Sequence, residues 1–292
     1  MVFMYPKVSI VVATYNRADI LEKSLKSMLE QEYPNDYEVI VVNDGSTDRT
    51  EEILRDMSRE YRNLRVYHQK NSGPNVAKNR GMRKARYDII VIMDDDCIPE
   101  KRWLKMLVSG FEKNVGGVSS FTPHGGTSTA FRRDVLKRVG LFDLRFNEFN
   151  LRDDSDLVFR IEDAGYRFKF LGYKGFLHLH RTPKKMVKKI IYGLKRIWKH
   201  QADVLLFKKH PERATKLLDV RFGFLRNPLQ DFRIATGLWQ GRLELSSPQG
   251  VSLIKRRSFF HEILIIFFGL LYVLLVKLVR LYGSFRFRKF LI

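Results

Sequence analysis

The chain has 292 residues, enough for one large domain with an appendage or for two modest domains, and enough for a sizeable core. Its formal charge is +21, and the excess is C-terminal: residues 1–180 carry 29 Lys and Arg against 26 Asp and Glu, whereas residues 181–292 carry 24 against 6. The single cysteine, Cys97, excludes an internal disulfide and suits a reducing compartment, and the first seven residues lack the apolar stretch of a signal peptide.

In chain order, "KVSIVVATYNR" is a β-branched run from Val8 to Val12 that stops at a polar turn. "ADILEKSLKSMLEQ" follows, with Ile20, Leu21, Leu25, Met28 and Leu29 at helical spacing. The pattern repeats with a strand from Val39 to Val42, an Asp/Ser turn and a helix starting near Thr47. "NLRVYHQ" gives a third strand, "PNVAKNRGMRKA" a helix, and "DIIVIM" a fourth, fully apolar strand. Alternating strands and helices with near-continuous apolar strands predict an α/β domain, a mostly parallel sheet covered by helices on both faces. Ligands bind such sheets beyond the carboxyl ends of the strands, which sets Thr14 to Arg17, Asn43 to Asp48 and Asp94 to Asp96 along one rim.

The fourth strand runs straight into three carboxylates, Asp94, Asp95 and Asp96. A divalent cation would relieve their mutual repulsion, and aspartate oxygens with waters and phosphates suit Mg2+ or Mn2+. The alternative is a solvated acidic turn capping the helix that follows Pro99 and Glu100. The basic C-terminal part implies an anionic partner: nucleic acid, acidic lipid headgroups or a phosphorylated substrate.

Six stretches, "SIVVATYNR", "VVNDGSTDRT", "NSGPNVAKNRG", "IMDDDC", "TAFRRDVLKRVGLFDLRF" and "DDSDLVFRIEDAGYRFKFLG", resemble in order and spacing the family 2 glycosyltransferases of the GT-A fold, over about residues 6–180. The resemblance implies an inverting transferase that moves a sugar from a nucleotide diphosphate donor to an acceptor hydroxyl, with Mn2+ or Mg2+ on the diphosphate. It places Thr14, Tyr15 and Asn16 in the nucleobase pocket and Asp44 on the base. Lys78, where many relatives have Arg, is directed to the diphosphate without the bidentate fork. Asp94 and Asp96 match the outer members of the DxD motif: Asp96 as direct metal ligand, Asp94 on the ribose or on the metal through water. "DDSDL" stands where the family reads E-D-x-D-L, which makes Asp154 the base and Asp153 an acceptor-orienting group. Asp156 equally suits a helix start. In "GFLHLHR", His178 matches a histidine that reaches the metal or diphosphate, and His180 shares its strand face. The loop Gly125 to Arg133 matches the segment beneath the acceptor.

After residue 180 the composition changes. Met186, Val187, Ile190, Ile191, Leu194, Ile197 and Trp198 recur at helical spacing among lysines, so residues 181–258 read as a basic amphipathic helical region. A second basic cluster, "KRRSFF", then leads into an apolar segment, 259–292. Its uncharged run, Ile263 to Val276, would be about 21 Å long as a helix against a hydrocarbon core of about 30 Å. With Lys277 and Arg280 snorkelling and with apolar Phe259 and Phe260 the segment could just span, but basic residues on both flanks give no positive-inside preference, so an interfacial or re-entrant membrane anchor is expected; a buried core helix is the alternative. The expected protein is membrane-associated with a cytoplasmic catalytic domain and a lipid-linked or membrane-proximal acceptor, with no nucleic acid and no obligate protein partner. No Q-x-x-R-W string, the mark of processive synthases in this family, occurs, which favours single-sugar transfer. A sugar nucleotidyltransferase would carry a Gly-rich, Arg-containing loop after the first strand, unlike "ATYNRAD", and a nucleic-acid-binding module would rest on charge alone.

Overall fold

The computed structural model describes residues 5–179, 186–221, 224–225 and 259–291. They form two compact units, Met1–Thr182 and Pro183–Ile292.

The first unit opens with the predicted alternation: β1 (Val8–Thr14), α1 (Leu21–Leu29), β2 (Tyr37–Asn43), α2 (Thr50–Glu60), β3 (Leu64–His68), α3 (Pro74–Lys84) and β4 (Ile89–Ile92). Then come β5 (Cys97–Pro99), α4 (Trp103–Val108), β6 (Val115–Ser119), β7 (Thr129–Arg132), α5 (Arg133–Val139), a 3-10 turn at Leu144–Phe146, α6 (Asp153–Asp163), β8 (Arg167–Phe170) and β9 (Phe176–His178). Seven strands make one sheet in the order β3-β2-β1-β4-β7-β6-β8, and β5 pairs with β9 in a separate ribbon. β1, β2, β3 and β4 are mutually parallel, β7 is antiparallel to both β4 and β6, and β8 runs parallel to β6.

Strand alternation divides the core in two. Val8, Ile10, Val12, Val39, Val41 and Val91 pack with Leu25 and Met28 of α1, Leu54 of α2 and Leu104 of α4. On the other face, Val11, Ile40, Ile90 and Ile92 pack with Met82 of α3, Val135 of α5 and Leu157 and Ile161 of α6. Both faces of β1, β2 and β4 are therefore covered, which is why these strands are apolar at nearly every position. α3 lies so close to β1 that a Cβ at Gly81 would stand 2.4 Å from Val11 Cγ1.

Register places Thr14 opposite Asn43 and Val11 opposite Ile92, so the chain leaves β1, β2 and β4 on one rim. From β1 the connections run outward through β2 to β3, then return to β4 on the other side of β1. The gap between the ends of β1 and β4 is the topological switch point, where open α/β sheets hold ligands.

The second unit contains α7 (Met186–Trp198), α8 (Gln201–Lys209), α9 (Pro211–Leu218), a hairpin of β10 (Val220–Arg221) and β11 (Phe224–Leu225), and α10 (Phe259–Phe287). α10 extends well past the uncharged run, over 29 residues or roughly 43 Å. Arg280 does not snorkel as the sequence suggested. It is buried, with Nη2 and Nε 3.1 and 3.2 Å from Asp203 Oδ2 of α8. Pairing removes the reason for the charge to reach water, and the helix continues through it. Gly283 lies against Val204 and Gln201 of α8, so one face of the C-terminal half of α10 is covered. The opposite face exposes Phe267, Phe268, Leu274, Leu278, Tyr282 and Phe285, and α7 exposes Val187, Ile191, Leu194 and Trp198. Phe267–Phe287 is, among the described residues, the one helix long and apolar enough to cross a membrane. His180 and the second basic cluster, residues 255–257, lie outside the described residues.

Candidate active site

Loops at the carboxyl ends of β1 and β2 are tied to each other. Asn16, at φ 53°, donates its backbone N–H to Ser46 Oγ and accepts from Thr47 N–H at 2.7 Å through Oδ1. Asp48 accepts from Ala18 N–H and Thr50 N–H, a structural use of the kind its turn position suggested. Asp44 is buried, and its carboxylate organises the loop before α3: Oδ1 accepts from Gln69 Nε2 and Ser72 N–H at 2.7 and 2.9 Å, Oδ2 from Gly73 N–H at 2.8 Å. Thr14 is buried at the strand end, while the ring of Tyr15 stands exposed on the rim.

Across the switch point, Arg17 reaches the aspartate triplet, with Nε 3.2 Å from Asp95 Oδ1 and Nη2 3.6 Å from Asp96 Oδ2. Burial pushes the Asp95 carboxyl up to about 6, against the opposing pull of Arg17. The middle aspartate is thus held inside the protein, while Asp96 is shared between Arg17 and His178, whose Nε2 lies 3.1 Å from Asp96 Oδ1. The β5–β9 ribbon sets this contact by pairing Cys97 with His178. Asp96, Cys97 and His178 bring one potential ligand atom each within 4.8 Å of one another, and Asp94 stands outside that group. Burial pushes the Cys97 thiol far up, and a soft sulfur is a poor match for a hard cation such as Mn2+ or Mg2+. What remains is one carboxylate oxygen and one imidazole nitrogen, a donor pair that suits Mn2+ or Mg2+ completed by phosphate oxygens and water.

A second charged group faces the triplet. Lys78, in the middle of α3, is buried with Nζ 5.3 Å from the centre of the Phe142 ring. Burial alone would lower its pKa, yet Asp154, Asp153, Asp94 and Asp95 together hold it above its ordinary value, so it is a fixed ammonium. The two carboxylates come from the first turn of α6, which the chain enters through Asn150 and Arg152 at φ 45° and 68°. Left-handed non-glycine residues of this kind concentrate at functional sites. Burial, then the neighbouring Asp153 charge, pushes Asp154 up to about 7, with Lys78 opposing. Gly125, at φ +89°, brings its loop so close that a Cβ there would stand 3.1 Å from Asp154 Cβ. Asp153 is buried, and among the described residues its Oδ2 has no hydrogen-bond partner. Asp156 is spent structurally: it pairs with Arg160 at 3.0 Å, and Arg160 also donates to the carbonyls of Val139 and Leu141.

The structure therefore brings Lys78, Asp94, Asp95, Asp153 and Asp154 into one electrostatic cluster, with Asp96 and His178 paired beside it. Sequence reasoning passed over Arg17, whose only signal was its place on the rim. It also passed over Thr127, whose Oγ1 accepts the Asp94 N–H at 2.9 Å and fixes the start of the triplet.

A mostly parallel seven-stranded sheet with an aspartate triplet at its switch point is of the GT-A type. The sequence pattern of Glycosyl transferase family 2 matches residues 9–172, and the chain belongs to that family: it is a glycosyltransferase. It is 31% identical over 255 residues to the Glycosyltransferase AglE of Haloferax volcanii, spanning 76% of this chain and 83% of that one. Its fold is similar to that of the mannosyltransferase PcManGT from Pyrobaculum calidifontis in complex with GDP-Man and Mn2+, with a TM-score of 0.65 and 23% identity over 96% of this chain and 88% of that one. S. aureus TarS 1–349 in complex with UDP-GlcNAc is also similar, with a TM-score of 0.52 and 17% identity over 97% and 92% of the two chains.

Proposed function

We propose that the enzyme transfers a single sugar, with inversion, from a nucleotide diphosphate sugar to a hydroxyl of a lipid-linked or membrane-proximal acceptor. The observation that carries this reading is the Asp154 carboxylate: buried beside Asp153 and the Lys78 ammonium, with a proton affinity near neutrality, it suits a general base.

In this reading Thr14, Tyr15 and Asn16 line the base pocket, and Asp44 serves the base both directly and by holding the loop at Ser72 and Gly73. Asp94 faces the ribose, and Lys78 supplies positive charge toward the diphosphate. Asp96 and His178, with Asp94 beside them, would hold a divalent cation, which would supply Lewis-acid neutralisation of the charge on the departing diphosphate. Asp154 takes the proton of the acceptor hydroxyl on the sugar face opposite the leaving group, and Asp153 orients that hydroxyl. GDP-Man and UDP-GlcNAc in the similar structures support the donor class. Support for membrane association comes from the apolar faces of α7 and α10 and from the basic excess of residues 181–292. In this reading the catalytic unit faces the cytoplasm.

The test is a thermal-shift panel of UDP, GDP, CDP and dTDP sugars with and without Mn2+, followed by NMR of the product anomeric configuration. A metal-dependent rise with one donor and an inverted anomer are expected. A retained anomer overturns the single displacement by the acceptor hydroxyl with Asp154 as its base.

A further inference from the structure

Asn75 is the second residue of α3 and is 0% exposed, yet among the described residues neither Oδ1 nor Nδ2 has a hydrogen-bond partner. Buried polar groups in native proteins are almost always paired, and a wholly unpaired carboxamide needs a reason. The Asn75 backbone N–H is in use: it donates to Asn147 Oδ1 at 2.9 Å, and Asn147 Nδ2 donates to the Ser72 carbonyl at 2.8 Å. The chain around Asn75 is stapled in place, and the side chain alone is left over.

Its position says what it could serve. Immediately before it, the N–H groups of Ser72 and Gly73 hold the Asp44 carboxylate. One turn after it, Lys78 carries its ammonium among Asp154, Asp153 and Asp94. Residues three apart on a helix share a face. That face is turned to one segment, since Lys78 lies over the Phe142 ring and Asn79 exchanges hydrogen bonds with the Phe142 N–H and carbonyl at 3.0 and 2.8 Å. Along α3, Asn75 thus lies between the loop N–H groups that hold Asp44 and the Lys78 ammonium. Asp153 Oδ2, at the transfer end, is another buried acceptor without a hydrogen-bond partner among the described residues.

A carboxamide both donates and accepts, as a hydroxyl does, whereas a phosphate only accepts at neutral pH. We infer that Asn75 is a donor-recognition residue, its carboxamide giving and accepting hydrogen bonds with hydroxyl groups of the nucleotide sugar, on the ribose or on the transferred sugar. The inference rests on the nucleotide-sugar reading of the site. It adds a residue to which no sequence motif pointed, one turn ahead of Lys78 in "GPNVAKNRG".

The experiment uses the full chain with Mn2+ and four probes: UDP, GDP, UDP-GlcNAc and GDP-Man. Wild type must first be stabilised by at least one of them; if none binds, the CDP and dTDP sugars of the panel above replace them, and if none of those binds either, the nucleotide-sugar reading itself fails. Asn75→Ala removes an unpaired polar group, so its ligand-free thermal midpoint should equal or exceed that of wild type, while its affinity for the binding probe falls about tenfold or more. A loss shared by the nucleoside diphosphate assigns the ribose hydroxyls, and a loss confined to the nucleotide sugar assigns the sugar hydroxyls. Asn75→Ser, which restores a small donor and acceptor, should recover part of the loss and provides the reading if the alanine variant folds poorly. Unchanged affinity in both variants, or a lowered ligand-free midpoint with unchanged affinity, makes Asn75 a packing residue and overturns the inference.

Discussion

Arg17 and Asp95 meet across the gap between β1 and β4, Nε to Oδ1 3.2 Å, and the same guanidinium stands 3.6 Å from Asp96 Oδ2. Three adjacent carboxylates at a strand end are tolerable because this guanidinium, supplied by the loop after the first strand, and the Lys78 ammonium offset part of their repulsion. Arg17→Ala should therefore cost about 1–3 kcal/mol of stability, less than a fully buried pair because Arg17 is partly exposed. Mn2+ binding at Asp96 should then compensate more in the variant than in wild type. Differential scanning fluorimetry with and without Mn2+ checks this; equal metal-induced shifts would show that Arg17 and the cation do not share the same carboxylates.

Asp44 is expected to matter for folding as well as for nucleotide. Asp44→Asn keeps the shape but turns an NH2 group toward a protein N–H, either that of Gly73 or those of Gln69 and Ser72. Facing donors leave a buried group unsatisfied, at about 1–3 kcal/mol. Urea denaturation without ligand should show that loss, and nucleotide affinity should fall with it. A variant as stable as wild type would mean that the loop is held by other contacts.

Legibility followed the range of the interactions. The strands β1, β2 and β4 were readable because burial on both faces makes every position apolar, and the Asp156 helix start was readable because its partner Arg160 is one turn away. The motifs located the rim and its acidic groups in advance. What escaped depends on partners far along the chain. Arg280 looked like a snorkelling charge because nothing near it in sequence reveals Asp203, 77 residues earlier. β7 was hidden inside the stretch read as an acceptor loop, and its antiparallel insertion between β4 and β6 is fixed by sheet pairing, which leaves no periodic trace in four residues. Arg17 and Asn75 sit in stretches whose neighbours carried the recognisable pattern, and only burial and distance set them apart.

The membrane reading predicts a specific surface. Val187, Ile191 and Leu194 are exposed along one stripe of α7. Replacing Val187 and Leu194 with Glu places charge on that stripe, away from the buried network of Asp203 and Arg280, so folding should survive. Flotation with vesicles of anionic lipid should recover wild type and lose the variant, and wild-type binding should weaken as salt rises. Equal flotation of the two proteins would remove α7 from the membrane contact.

Asp154 carries the sharpest test, because stability and activity should move in opposite directions with pH. Its carboxyl is pushed from the ordinary 3.8 up to about 7 by burial and by Asp153, so the folded state binds the proton more tightly than the unfolded state does. That contribution to stability is fully present below about pH 4 and is lost as pH rises through about 7. A general base must be ionised, so kcat/KM should instead climb through the same interval, with its acidic limb near 7. Asp154→Asn keeps the size of the side chain and abolishes its titration. The variant should bind nucleotide and Mn2+ as wild type does, show a flatter dependence of stability on pH between about 4 and 7, and lose transfer by about 10²- to 10⁴-fold. Asp156→Asn is the contrasting control: it should lower the thermal midpoint by weakening the tie through Arg160 to the carbonyls of Val139 and Leu141, with a smaller effect on turnover of the folded fraction. If Asp154→Asn retains transfer within about tenfold of wild type while Asp153→Asn abolishes it, the base is Asp153, whose unpaired Oδ2 then becomes the proton acceptor. If transfer survives substitution of both, the acceptor is activated by a group other than Asp153 and Asp154.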